Sequence, residues 1–367
     1  LWRGCPVNAA YPGPGVLPAQ AIRRLIAAGG VRLAAPLAEG QVQPASLDLR
    51  LGTRAWRMRA SFLPGAGARV AERLDGLRMH EMDLSGGAVL ERGCVYLVPL
   101  MEGLALPEGI SAVANAKSST GRLDVLTRLV TDRGTEFDRV PEGYDGPLWA
   151  EICPRSFSIL VRPGQRLNQI RFRNGQAVLS DPELAALHDR AGLVAGAGVV
   201  PVIAQGLGFS VDLRLEGAVG WRAKPHAGVV DLDGIGAHDP AEFWEPLVAP
   251  QGRLILDPGA FYILVSREAV HIPPDHAAEM AMVGEFRVHY AGFFDPGFGH
   301  AAAGGAGARG VLEVRCHEAP FVLEHGQTVG RLVYERMAEV PERLYGQGIA
   351  SNYQGQGLKL AKQFRAP

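Results

Sequence analysis

The 367-residue chain has no long run of charge of either sign and a formal net charge of −1. A protein that coats nucleic acid by counter-ion release needs a basic surface, so no nucleic-acid partner is expected. A small anionic ligand stays open, because it asks only for a few local cations. No apolar stretch approaches the roughly 20 residues of a membrane-spanning helix, so no membrane partner is expected either. The four cysteines, Cys5, Cys94, Cys153 and Cys316, lie far apart and form no Cys-x-x-Cys pair. That usage argues against a disulfide framework; with no signal-peptide pattern in view, it points to a reducing cytoplasm. The Ala/Gly-rich stretch from Ala301 to Ala308 has no GxxxxGK[S/T] spacing. It reads as a flexible hairpin insertion rather than a phosphate cradle.

Glycine and proline are plentiful, at 47 and 26 residues, which suits short strands joined by tight turns more than long helices. The length allows two domains of about 150 residues each, and a 47% hydrophobic content supplies a core for both.

An ordered set of weak matches recurs along the chain. Ser46-Leu47-Asp48-Leu49-Arg50-Leu51-Gly52 returns as Ser210-Val211-Asp212-Leu213-Arg214-Leu215-Glu216-Gly217, an offset of 164. Gly93-Cys94-Val95-Tyr96-Leu97-Val98 returns as Gly259-Ala260-Phe261-Tyr262-Ile263-Leu264 at 166, and Pro107 pairs with Pro273 at that same offset. Ala150-Glu151-Ile152 matches Leu312-Glu313-Val314, and Arg162-Pro163-Gly164-Gln165 matches Glu324-His325-Gly326-Gln327, both at 162. Matches in one order at nearly one offset point to a tandem duplication. In Leu47-Asp48-Leu49-Arg50-Leu51 the leucines fall on one face of a strand and the charges on the other. Further short strands are predicted at Val95 to Pro99, Ile159 to Val161 and Ile170 to Phe172. Helix is scarce. Ala19 to Ala28 puts Ile22, Leu25 and Ile26 on one face with Gly29-Gly30 as a stop, and Asp181 to Arg190 falls between the repeats. The division is expected within residues 192–206, giving a first unit over 1–195 and a second over 196–367.

The segment Ala116-Lys117-Ser118-Ser119-Thr120-Gly121-Arg122-Leu123 resembles the (G/A)-(R/K)-S-S-x-x-R-L signature of dCTP deaminases, in the dCTP deaminase/dUTPase superfamily. Ser46 to Gly52 is similar to the family's early strand, and Gly146-Pro147-Leu148-Trp149-Ala150-Glu151 to its approach to a catalytic glutamate. Val16 to Val31 resembles its N-terminal helix. Val288 to Gly299 resembles the nucleotide-contacting hairpin, and Asn352-Tyr353-Gln354-Gly355-Gln356 the tail that closes over the triphosphate. The whole is most similar to the long tandem form of dCTP deaminase found in some bacteria. The resemblance implies a mainly β fold of two tandem dUTPase-like distorted β-barrels (β-clip or jelly-roll-like) with few short helices. It also implies a homo-oligomer built on barrel trimers, with active sites between neighbouring barrels. The departures are specific. The second repeat has no Ser-Ser-x-x-Arg, and in the first the Asp-Pro-Gly turn becomes Pro141-Glu142-Gly143.

The activity implied is hydrolytic deamination of dCTP to dUTP and ammonia, with Mg²⁺ carried by the triphosphate. Zinc-activated hydroxide would need H-x-E and P-C-x-x-C; neither occurs, so no zinc is expected. The remaining route uses a carboxylate as general base, a role the resemblance gives to Glu151. Glu151 lies in the apolar run Leu148-Trp149-Ala150-Glu151-Ile152, where desolvation would raise its pKa. Alternation puts it on the face opposite Ala150 and Ile152. Ser118 and Arg122, four apart, share one face of a helical turn, and the resemblance has them position the water and stabilise the intermediate. Lys117 and Ser119 are expected at phosphates, Arg139 near the base-contacting hairpin, and Tyr353 and Gln356 in the lid. Lys359 and Lys362 suit either phosphate contact or solubility. Two arrangements follow. First repeats could assemble among themselves around Ser118, Arg122 and Glu151, or the two repeats could meet and place Glu313 opposite Ser118 and Arg122. The first is favoured here because repeat one retains both halves of the motif. Other activities considered are a dUTPase or bifunctional enzyme, and a catalytically dead nucleotide-binding regulator.

Overall fold

The computed structural model describes residues 13–195, 199–282, 287–288, 292–301, 305–316, 319–347 and 357–366. The fold is mainly β, with few and short helices among the described residues. Alternating apolar residues give each strand a core face, and Gly-containing turns reverse the chain between strands.

In the first half, Val95–Ala105 pairs with Asp145–Pro154, which pairs in turn with Val125–Thr131. A second sheet places Arg166–Asn174 between Ile110–Ala116 and Leu47–Arg50. The second half repeats the scheme. Phe261–Val270 pairs with Ala308–Arg315, and His276–Met282 pairs with Thr328–Arg336. Registers recur as well. Glu151 lies opposite Leu97 and Glu313 opposite Ile263; Asn168 lies opposite Ala116 and Gly330 opposite Met282.

Two sequence-based expectations are corrected by these registers. Ser46–Gly52 does not correspond to Ser210–Gly217. Leu47 pairs with Ile170, and the equivalent pair is Leu207 with Leu332, an offset of 160 rather than 164. The hydrogen bonds agree: the Arg50 N–H donates to Glu102 Oε2 at 2.7 Å, and the Ser210 N–H donates to Glu268 Oε2 at 2.7 Å. Alternating Leu and charge is a generic strand pattern, and it matched four residues out of register.

The division also moves. The helix Asp181–Ala191, assigned from sequence to the first unit, buries Leu184 and Leu187 among Leu207, Leu264 and Leu312 of the second half. Its counterpart is Ala19–Ala27, whose Ile22 and Leu25 pack into a first-half cluster. Val16 pairs with Arg173, and Val178 bridges Glu335 in the same way. The second structural unit therefore starts before the helix, near residue 178.

The halves pack closely. One apolar cluster joins Phe157, Ile159 and Val161 to Val230, Trp244, Phe261 and Phe364. The second-half strand Val230–Asp231 adds in parallel to the first-half strand Ile159–Val161. The segment 357–366 folds over the same region. The N–H of Gly236 donates to the carbonyl of Lys362 and that of His238 to Gln363, while Phe364 stacks edge-on against Phe157 and Trp244.

Candidate active site

Ser118–Gly121 forms one helical turn between two strands, with the Arg122 N–H donating to the Ser118 carbonyl at 3.0 Å. The turn brings Ser118 and Arg122 to one side, as their spacing predicts. They line a cleft of about 1140 Å³ that runs between the two halves. Lys117 and Ser119 line it too.

The carboxylate across this cleft comes from the second half. Arg122 Nε lies 3.7 Å from Glu313 Oε1, and both side chains are almost completely buried. Arg122 also donates to the carbonyl of Lys359 at 3.1 Å, so the chain's last described segment reaches the site. Burial pushes the Glu313 carboxyl up to about 7, against the opposing pull of Arg122. A carboxyl balanced there is suited to taking and giving a proton near neutral pH.

Glu151 sits elsewhere. Its strand turns Ala150 and Ile152 into the core, so Glu151 faces the other way, as alternation predicts. That outer face is covered by the helix Val70–Leu77, which packs Val70 and Leu74 against Trp56 and Trp149. Glu151 is buried there and bound by Arg128 through Nη2 at 2.5 Å and Nε at 3.1 Å. Arg128 also donates to Ser61 at 2.8 Å and lies 3.7 Å from the Phe137 ring centre. The structure thus brings Glu313, not Glu151, together with Ser118 and Arg122. The two faces explain why. In the second half, Val311, Glu313 and Arg315 look onto the first half, where Val311 joins the shared core and Arg315 pairs with Asp124.

At another part of the cleft wall, Asp48 gathers cations. Lys117 Nζ lies 2.5 Å and Arg166 Nη1 3.4 Å from its Oδ2. Lys362 lines the same cleft; burial lowers its ammonium pKa, and Lys117 and Arg166 push it down further. This cluster holds more positive than negative charge, an arrangement suited to a polyanion. Sequence reasoning missed Asp48 and Arg166; Asp48 meets Lys117 and Arg166 only through long-range strand pairing. The apolar walls include Phe293 and Phe298.

Arg139 does not reach the cleft. It is exposed on the short strand Arg139–Val140, with Glu136 at 4.0 Å. Arg139 pairs with Val113, and the corresponding second-half pair is Phe293 with Glu279. An aromatic side chain therefore holds the place expected for the arginine. Tyr353 and Gln356 lie outside the described residues. Gly305, Gly307 and Gly310 have bare GxGxxG spacing, but they run into the strand Ala308–Arg315. The helix N-terminus on which a phosphate cradle depends is absent from that turn.

Comparison with known proteins places this geometry. Residues 13–176 match the model of the N-terminal domain of 2′-deoxycytidine 5′-triphosphate deaminase, and residues 180–364 match that of its C-terminal domain. A crystal structure of 2′-deoxycytidine 5′-triphosphate deaminase from Agrobacterium tumefaciens is 57% identical, covering 90% of this chain and 99% of its own, with a TM-score of 0.85. A Beutenbergia cavernae protein named "dCTP deaminase, dUMP-forming" is 32% identical over 161 residues, 40% of this chain and 75% of that protein. A Coprothermobacter proteolyticus protein of the same name is 28% identical over 138 residues, 37% of this chain and 70% of that protein. The fold is that of the dUTPase-like β proteins, and the chain belongs to the 2′-deoxycytidine 5′-triphosphate deaminase family.

Proposed function

We propose that the protein deaminates dCTP to dUTP and ammonia in the cleft between its halves, with Glu313 as general base. The observation that carries this reading is the meeting of Ser118 and Arg122 from one half with the buried Glu313 of the other. Glu313 takes a proton from water as its oxygen bonds to cytosine C4. That proton passes to N3, the remaining proton of the attacking water passes through Glu313 to the amino group, the C4–N bond breaks, and ammonia leaves as the C4 carbonyl forms. A positioned base of this kind contributes roughly 10²–10⁴-fold in rate. Ser118 orients the water, and Arg122 stabilises negative charge on the C4 oxygen.

Lys117, Ser119, Arg166 and Lys362 receive the triphosphate, and Mg²⁺ travels with the phosphate oxygens and offsets part of their charge. Tyr353 and Gln356 keep the lid role that the family resemblance implies. The recurring strand registers support a duplication in which one copy kept Ser-Ser-x-x-Arg and the other the working glutamate. Barrel trimers are our proposal for the assembly, which light scattering tests. Among the described residues, no helix is long and apolar enough to cross a membrane. A cytoplasmic location is our proposal from the four scattered cysteines, which form no Cys-x-x-Cys pair.

The test is ammonia release from dCTP by Glu313→Gln and Glu151→Gln. The proposal requires loss of turnover in the first and retention in the second; the reverse result overturns it. A second reading is favoured by the relatives named as dUMP-forming: the same cleft also cleaves the triphosphate. Pyrophosphate measured separately from ammonia decides between them.

A further inference from the structure

We propose that Arg171, on the first-half strand Arg166–Asn174, is a positioning residue that holds the second-half wall of the cleft in its nucleotide-binding shape. The inference rests on the cleft being the site proposed above. Arg171 is completely buried. Its Nη1 donates to Glu335 Oε2 and to the Ala278 carbonyl, both at 3.0 Å. Its Nη2 turns to the wall, donating to Asp295 Oδ1 at 3.3 Å and to the Phe294 carbonyl at 3.4 Å. The guanidinium carbon lies 4.1 Å from the Phe293 ring centre. Phe293, Phe294 and Asp295 all line the cleft.

One side chain therefore grips three consecutive wall residues by an ion pair, a backbone hydrogen bond and a ring face. Holding the halves together does not require this. Glu335 is also bound by Arg173 at 2.5 Å, and Arg173 holds Glu279 at 3.0 Å, so the interface keeps charged partners without the second nitrogen of Arg171. Nor does the strand require arginine. Arg171 pairs with Val113, and the matching second-half pair is Val333 with Glu279, an aliphatic residue in the same place. A planar fork can satisfy Glu335 on one side and Asp295 on the other, which a single ammonium cannot do with the same geometry.

The test uses the full-length protein with dCTP as the probe. Arg171→Lys keeps the charge and loses the fork. Arg171→Met combined with Glu335→Gln removes one charge of each sign from the interface and releases Asp295 and the Phe294 carbonyl from the fork. The expected result is a KM for dCTP raised about 10-fold or more, with kcat within about 3-fold of wild type, because a displaced wall weakens binding more than the chemical step. The lysine variant falls between wild type and the double variant. An unchanged KM in a folded variant overturns the proposal and leaves Arg171 as an interface residue only. So does a loss confined to kcat. If the double variant does not fold, the lysine variant decides alone by the same criterion. Glu313→Gln separates the two ideas. Turnover surviving in Glu313→Gln sinks the cleft assignment itself; turnover lost there, with wild-type KM in the Arg171 variants, sinks only this inference.

Discussion

Replacing Glu313 with glutamine tests chemistry and electrostatics through one carboxyl. As a base, its loss lowers kcat by roughly 10²–10⁴-fold. The stability effect has a sign that can be worked out. Burial raises the folded-state pKa from 4.5 to about 7, so the folded protein holds this proton more tightly than the unfolded chain does. As pH rises from below 4.5 to above 7, the unfolded chain releases the proton first, and folding becomes less favourable by up to about 3 kcal/mol. Glutamine carries no such penalty. With an unfolding entropy of about 2.1 cal/mol/K per residue over 367 residues, 3 kcal/mol corresponds to roughly 4 °C. Thermal melts of both proteins at pH 5 and pH 8.5 supply the measurement. The melting temperature of Glu313→Gln relative to wild type should rise between the two, by up to that amount. A gap that stays flat or shrinks refutes the reasoning about the desolvated carboxyl. In the wild type, kcat/KM should rise with pH through about 7 as the base ionises; a profile flat from pH 5 to 9 refutes the assignment of the base.

Glu151→Gln should keep kcat and lose about 1–3 kcal/mol of stability, because it breaks the buried end of the Arg128 pair; denaturant melts and an ammonia assay read both. Arg315→Met leaves Asp124 buried without its cation, and should cost about 3–5 kcal/mol in the same melts. Lys362→Met should raise KM for dCTP by about 3–10-fold and flatten its dependence on salt between 50 and 300 mM, since one charge of the proposed phosphate site is gone. An unchanged salt slope would count against a phosphate contact.

The features legible in the sequence are those that depend on near neighbours. Alternation correctly turned Glu151 away from Ala150 and Ile152, and the four-residue spacing correctly joined Ser118 to Arg122. The helix at Asp181–Ala191 was likewise anticipated within a residue. Its allegiance was not, because that depends on what Leu184 and Leu187 touch some 20 to 130 residues later. The same limit hid which glutamate faces the cleft. Glu151 and Glu313 occupy matching registers on matching strands. They differ in what covers each outer face: the helix Val70–Leu77 over one, the other half of the chain over the other. No local pattern around either glutamate encodes that. Arg139 failed for a related reason, since its second-half counterpart is Phe293, and only the pairings with Val113 and Glu279 reveal the correspondence.

The hydrogen bond from Arg122 to the carbonyl of Lys359 spans 237 positions of sequence. It also sets an order in time. During synthesis the serine and arginine of the site emerge early, and the glutamate follows 191 residues after Arg122. The segment 357–366, which closes on Arg122 and brings Lys362 to the cationic cluster, comes out later still. Until then a nascent chain cannot complete this pocket, however much of it has folded. Folding intermediates on the ribosome should therefore be silent toward nucleotide until that segment is free to dock, so that the onset of activity reports the docking of one short segment.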